Sequence, residues 1–173
     1  MNDELRRART ARLRADCAHC CGLCCVAPSF SAEQGFGFDK AAHAACVHLA
    51  ADNRCGIHAE IAVRGFPACA TFDCHGAGQW VTQHLFGGKS WRSSPQIATR
   101  MFALYEKYRP LHELMAALDL AITLLPEAQA AILEQCLLDI ERRCRTGTDL
   151  PGPPGVKALR QQVRQLLVEL RPP

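Results

Sequence analysis

The sequence predicts a mainly α-helical protein, with a loop-rich, cysteine-liganded metal module packed against three or four helices and little or no sheet. Three observations predict it. Nine of the eleven cysteines crowd between Cys17 and Cys74. The stretch from residue 17 to about 93 keeps no sustained apolar period of about 2.0 or 3.6 residues, the signatures of strand and helix. From Ser94 onward, apolar residues recur at helical spacing. At 173 residues the chain can bury a core without relying on metal for all its stability. One compact domain in three parts is expected: residues 1–16, 17–93 and 94–173.

Residues 1–16 favour a short basic helix, because Arg, Ala and Leu are good helix formers and Asp3 and Glu4 suit a first turn. Arg6, Arg7, Arg9, Arg12 and Arg14 are partly offset by Asp3, Glu4 and Asp16. They are expected to form a solvated face; a sharper reading has them compensate the thiolates that follow. With 20 Lys and Arg against 17 Asp and Glu, the formal charge is only +3, which is not the profile of a nucleic-acid binder.

Residues 17–93, rich in Cys, Gly and His, are expected as loops and short turns organised around ligands rather than around an apolar core. Gly76, Gly78, Gly87 and Gly88 permit tight turns there. Ser94 and Pro95 then read as a helix N-cap and first helical position. Leu111, Leu114, Met115, Leu118 and Ile122 continue a stripe beyond Pro110, which is expected to kink or separate the two stretches. Another helix is expected from Pro126 to about Arg145, with Ile132, Leu133, Cys136, Leu137 and Ile140 on one face and Gly147 beyond its end. Cys136 and Cys144 read as ordinary buried residues. The Pro-rich run at 150–155 reads as a turn. The last element, Val156 to Arg171, carries Val156, Leu159, Val163, Leu166, Leu167 and Leu170 on a stripe that docks on the other helices or on a protein partner.

Clustered thiols are soft ligands that select zinc, copper(I) or iron-sulfur clusters. A disulfide framework is the competing reading. Against it, the N-terminus is charged from its third residue and has no apolar signal segment. The most apolar run, Leu114 to Leu125, contains Asp119 and ends at Pro126, so no membrane span is expected. Adjacent cysteines and an odd total point the same way, to a reduced cytoplasmic protein. Cys21-x2-Cys24 has the spacing of half a structural zinc site. Neighbours such as Cys24 and Cys25 project differently, which suggests more than one ion or a polynuclear cluster. Five histidines, His19, His43, His48, His58 and His75, share the segment, and neutral imidazole suits zinc or iron. Gly88-Lys89-Ser90 is no phosphate-binding loop, since the first glycine of that pattern would fall at Gln83. His112-Glu113 has no second histidine at zinc-protease spacing.

The ordered landmarks are C-x3-C-x2-C-C from Cys17, followed by Val26-Ala27-Pro28-Ser29, Cys46-x-x-Leu49, Cys55-Gly56-Ile57-His58, Arg64-Gly65-Phe66-Pro67-Ala68-Cys69 and Phe72-Asp73-Cys74. In these the segment from 17 to about 78 resembles the YkgJ-like cysteine cluster family, described as a zinc- or iron-chelating domain with a CxxCxxCC consensus. The resemblance implies Cys17, Cys21, Cys24, Cys25, Cys46, Cys55, Cys69 and Cys74 as metal ligands. Cys20 is extra on this alignment, so either Cys17 or Cys20 is the first ligand. His58 stands where relatives often carry an aromatic residue, and it and His75 are the leading histidine candidates. Some related proteins continue into pentapeptide repeats, whereas no repeat follows Cys74.

Members of the broader group, flagellin lysine methylases among them, carry an iron-sulfur motif. The resemblance therefore favours an iron-sulfur cluster over Zn2+, with copper(I) or a multi-zinc thiolate cluster open. Two functions fit: a redox or maturation component built on that centre, or a zinc-stabilised structural and interaction module without catalysis.

Overall fold

The structure, a computed structural model, describes residues 3–169 and is mainly α-helical. Among the described residues seven α-helices follow one another: α1 (Asp3–Arg12), α2 (Leu23–Val26), α3 (Pro67–Thr71), α4 (Ala77–Gln79), α5 (Pro95–Leu124), α6 (Glu127–Thr146) and α7 (Pro153–Glu169). Among the described residues no sheet forms; Phe30 with Lys40 and Leu49 with Cys55 make isolated antiparallel bridges. The chain divides into two compact units, Arg14–Glu106 and Met1–Leu13 with Lys107–Pro173. Among the described residues, no helix is long and apolar enough to cross a membrane.

α5 runs for 30 residues with Pro110 inside it, so Pro110 does not separate two helices. Proline removes one backbone donor from the helix. Buried Tyr108, Leu111, Leu114, Met115 and Leu118 on either side supply the packing that keeps the helix continuous. α6 ends as its sequence indicates, with Gly147 at φ 68 donating its N–H to the Arg143 carbonyl at 2.9 Å. Of its apolar face, Leu133, Leu137, Ile140 and Cys144 are buried, Cys136 is half-buried and Ile132 is exposed. α7 begins at Pro153, inside the expected turn, because prolines in a first turn give up only N–H groups that have no helical partner anyway. Val156 and Val163 of its stripe are buried, whereas Leu159, Leu166 and Leu167 are half-buried. Leu170 and Arg171 lie outside the described residues.

Arg9 departs from the solvated face expected of the basic run, whereas Arg7, Arg12 and Arg14 are exposed. Arg9 is buried, and its Nε meets Asp119 at 2.8 Å while Nη1 meets Glu134 at 2.7 Å. Thr10 donates its hydroxyl to the other Asp119 oxygen at 2.7 Å, and Arg12 pairs with Glu141. These cations serve carboxylates of α5 and α6 within the helical unit.

The cysteine-bearing unit is not organised around ligands alone. Leu23, Val26, Phe66, Val81, Met101, Phe102 and Tyr105 are all buried, so it has an apolar core. The first part of α5 supplies three of these residues, which is why the unit extends past residue 93 to Glu106. Phe66 takes the edge of His48 at 5.2 Å and of Phe38 at 5.7 Å, adding an aromatic cluster. The α5 N-cap forms as the sequence indicates, with Ser94 Oγ accepting from the Ile97 amide at 3.2 Å. Ser94→Ala should cost about 1 kcal/mol. A urea midpoint unchanged from the wild type would show that the cap bond contributes nothing.

Candidate metal centre

The turns that carry the cysteines point backbone amides at sulfur. The Cys20 sulfur accepts from the Gly22 and Leu23 amides, and the Cys74 sulfur from Gly76 and Gly78. Cys46 accepts from the His48 amide and Cys55 from that of Ile57. Such bonds favour thiolate over thiol and fix the sulfur in one direction. Two of these turns share a pattern, Cys20-Cys21-Gly22 and Cys74-His75-Gly76, with the glycines at φ 74 and 81. Only glycine takes that conformation freely. At Gly22 a Cβ would also lie 2.8 Å from the Asn53 carbonyl oxygen.

A second glycine requirement marks where two of the sulfurs sit. A Cβ on Gly78 would stand 2.7 Å from Cys20 Sγ and 3.7 Å from Cys74 Sγ. Cys20 and Cys74 therefore face the same bare stretch of helix, although 54 positions separate them in the sequence. Gly78 opens a helix that widens into a π-turn over Trp80–Leu85.

The thiols whose charges raise one another fall into two overlapping sets, with Cys25 common to both. Burial pushes Cys20 up to about 12, and the charges of Cys21 and Cys74 add to this. Cys17, exposed as a residue, has its thiol pushed up first by the protein atoms around it, then by Cys74 and Cys25. Cys24 is held up by its hydrogen bond with Cys25, by burial, and by the charges of Cys25, Cys20 and Cys74. Cys17, Cys20, Cys24 and Cys74 make the first group. In the second, burial pushes Cys69 up to about 11, with Cys25, Cys46 and Cys55 adding. Burial likewise raises Cys46, helped by Cys25 and Cys55, and raises Cys55, helped by Cys25. A backbone bond from the Cys46 amide to the Cys25 carbonyl, 2.9 Å, ties two members together.

The groups meet at Cys24 and Cys25, whose sulfurs are 3.7 Å apart. Cys25 is drawn down by the Cys24 thiol proton, against burial, with the Lys40 ammonium assisting. Among the described residues, no three Cys, His, Asp or Glu side chains stand close enough to hold an ion as they are.

The chain is similar to the uncharacterized protein YybG of Bacillus subtilis (strain 168). The two are 40% identical over 112 residues, which is 65% of this chain and 40% of the relative. The match thus spans less than half of YybG. No protein-family model matches the chain, and no solved structure does.

Cys21 is placed differently from the other cysteines of the segment. It is buried, with its sulfur 3.4 Å from Thr82 Oγ1 and 3.3 Å from Met101 Sδ, both in the apolar core. Its carbonyl accepts from Trp91 Nε1 at 2.9 Å. Of the histidines, His19 bonds Asp16 at 2.7 Å, His43 bonds Glu106 at 3.3 Å and stacks on Phe102, and His48 belongs to the aromatic cluster. His58 is exposed, and its amide donates to the Cys55 carbonyl at 3.2 Å. His75 is half-buried at φ 48 and donates its amide to Asp73. All eleven cysteines are free, Cys136 and Cys144 on α6 included.

Gly22 and Lys40 escaped the sequence reading. The repeated Cys-x-Gly turn, Cys20-Cys21-Gly22 and Cys74-His75-Gly76, was the available signal for Gly22. Nothing in the sequence distinguished Lys40. It is buried, and its ammonium donates to the carbonyls of Val26, Pro28, Ala41 and Ala44 at 3.2, 2.6, 3.0 and 2.8 Å.

Proposed function

We propose that this chain belongs to the YkgJ-like cysteine cluster family and holds metal through two thiolate groups that share the Cys24–Cys25 seam. Cys17, Cys20, Cys24 and Cys74 serve one group; Cys25, Cys46, Cys55 and Cys69 serve the other. The observation that carries the reading is the set of backbone amides directed at the sulfurs of Cys20, Cys46, Cys55 and Cys74. A thiol gains little from such donors, whereas a metal-bound thiolate gains a charge-assisted bond from each. Metal binding draws the sulfurs of each group together and contributes to the folding free energy of the unit.

An iron-sulfur centre is the first choice, because three sulfurs of a compact run, Cys17, Cys20 and Cys24, are completed by the distant Cys74, a usual arrangement for such clusters. It would supply electron transfer in redox or maturation chemistry in the cytoplasm. Zinc is the second reading, since four thiolates per group suit a closed tetrahedral site, and it would make the unit a structural module. In either case the exposed Leu120, Leu124 and Val168 of the helical unit offer contact to a protein partner.

The test is metal analysis of protein purified without oxygen, with acid-labile sulfide and paramagnetic resonance. Iron with matching sulfide supports the first reading. Zinc without sulfide supports the second. Protein that holds no metal after reconstitution with either overturns both.

A further inference from the structure

Cys24 and Cys25 are adjacent in the chain, and their sulfurs lie 3.7 Å apart, in hydrogen-bond contact. Both are free thiols and both are half-buried, within reach of a small solute. They sit on α2, a helix of only four residues with no side-chain cap at its start. Successive side chains of an α-helix point about 100° apart, so neighbouring sulfurs meet only by turning toward each other. A disulfide between them would close a small ring containing the peptide bond that joins them. It would also hold the two Cβ atoms about 3.8 Å apart, which side chains splayed around a helix do not reach. Oxidation of this pair therefore turns the Cys24–Cys25 peptide out of helical geometry.

Two backbone hydrogen bonds tie that stretch to the loop carrying His43 and Cys46. The Cys25 carbonyl accepts from the Cys46 amide at 2.9 Å, and the Ala27 carbonyl from the His43 amide at 3.2 Å. His43 in turn stacks on Phe102 of α5, with ring centroids 5.1 Å apart, and bonds Glu106 at 3.3 Å. Leu23, Val26 and Ala27 are fully buried and pin α2 in the core, so the adjustment falls on those two bonds. We propose that Cys24–Cys25 is a reversible redox-modification site, oxidised by a hydroperoxide to a strained vicinal disulfide that loosens the His43–Cys46 loop from α2. One sulfur, as thiolate, attacks the peroxide: an S–O bond forms, the O–O bond breaks, and the leaving oxygen departs protonated as water or an alcohol. The second sulfur then displaces the hydroxyl: the S–S bond forms, the S–O bond breaks, and water leaves with the second thiol's proton. Strain makes such a disulfide easy to reduce, which suits a switch rather than a structural bond. The proposal concerns the pair as thiols and does not depend on the metal-binding reading.

The test exposes the full chain, reduced and treated with a chelator, to hydrogen peroxide. Remaining thiols are then alkylated, and chymotrypsin cleaves after Leu23 and Phe30. The cut isolates residues 24–30, whose cysteines are Cys24 and Cys25. The expected product is this peptide without alkyl groups and lighter by two hydrogens. Dithiothreitol before alkylation should return it to the doubly alkylated form. In the oxidised chain, hydrogen exchange of the His43 and Cys46 amides should speed by about tenfold, the order set by losing one protecting hydrogen bond. Cys24→Ser and Cys25→Ser should each abolish both changes, and the wild-type peptide map decides even where a variant fails to fold.

A 24–30 peptide that keeps both alkyl groups at every peroxide dose overturns the proposal. So does a bond from Cys24 or Cys25 to a third cysteine, or an oxidised product that dithiothreitol does not reverse. A vicinal disulfide with unchanged exchange at His43 and Cys46 overturns it as well, since the bond would then leave the loop untouched. A chain that holds neither iron nor zinc would leave this result unaffected, so the two readings fail separately.

Discussion

Cys20→Ser should strip metal from the chain far more completely than Cys21→Ser, although the family spacing matches Cys21 and leaves Cys20 over. Cys20 Sγ accepts two backbone amides and shares the bare face of Gly78 with Cys74. Cys21 Sγ packs on Met101 and Thr82 in the apolar core. Serine at position 20 removes a sulfur from the first group, and metal affinity that is also folding free energy goes with it. Serine at position 21 instead puts a hydroxyl against Met101, which should lower stability by about 1–3 kcal/mol and leave the metal stoichiometry intact. Gly78→Ala gives an independent check on the same geometry. The new methyl would need Cys20 Sγ to move from 2.7 Å, and an overpacked site of this kind costs about 1–3 kcal/mol. Metal content by elemental analysis, beside urea melts of the metal-free variants, decides it. Equal retention in Cys20→Ser and the wild type would place Cys20 outside the centre.

Arg9→Met should destabilise the protein by about 3–5 kcal/mol, because it leaves two carboxylates facing each other without their cation. The Arg9 side chain is 5% exposed, against 10% for Asp119 and 13% for Glu134, so little water is present to screen them. The Glu134 contact is bidentate, at 2.7 and 3.2 Å, while Nε holds Asp119. Arg14→Met, at an exposed position on the same basic run, should change stability by no more than about 0.5 kcal/mol. Chemical denaturation of the two variants compares them directly. A loss in Arg9→Met below about 1 kcal/mol would mean that the triad behaves like a surface ion pair.

These two expectations show where residue patterns sufficed and where they did not. The helices were legible because their signals are local. Ser94-Pro95 begins α5, Gly147 ends α6, and the stripe Leu111, Leu114, Met115, Leu118 and Ile122 is buried throughout. Each depends only on residues within a turn or two, which the backbone reads without help from the rest of the chain. Pro110 does not break α5, and the Pro-rich run ends at Pro153 rather than Gly155, for the opposite reason. Proline's local penalty is real, but packing offsets it in α5, and a first-turn position cancels it in α7.

The concentration of cysteines, and hence a thiolate chemistry, was visible in composition alone. Which sulfurs face one another was not. Adjacent residues in the run differ in direction by turn geometry, so Cys20 faces Cys74 while Cys21 enters the core, and Cys24 and Cys25 join different neighbours. A spacing pattern counts positions along the chain, whereas ligand grouping depends on turns at Gly22 and Gly76 and on the return of distant segments. The same holds for single charges. Arg9 looked like one more solvated cation and Lys40 like an ordinary loop lysine, yet tertiary structure buries both. By itself, the sequence determined the helices and the kind of chemistry, because propensity, capping and sulfur softness are properties of residues. Only the tertiary structure decided which thiols associate and which cations are buried, because those depend on proximity between segments remote in sequence.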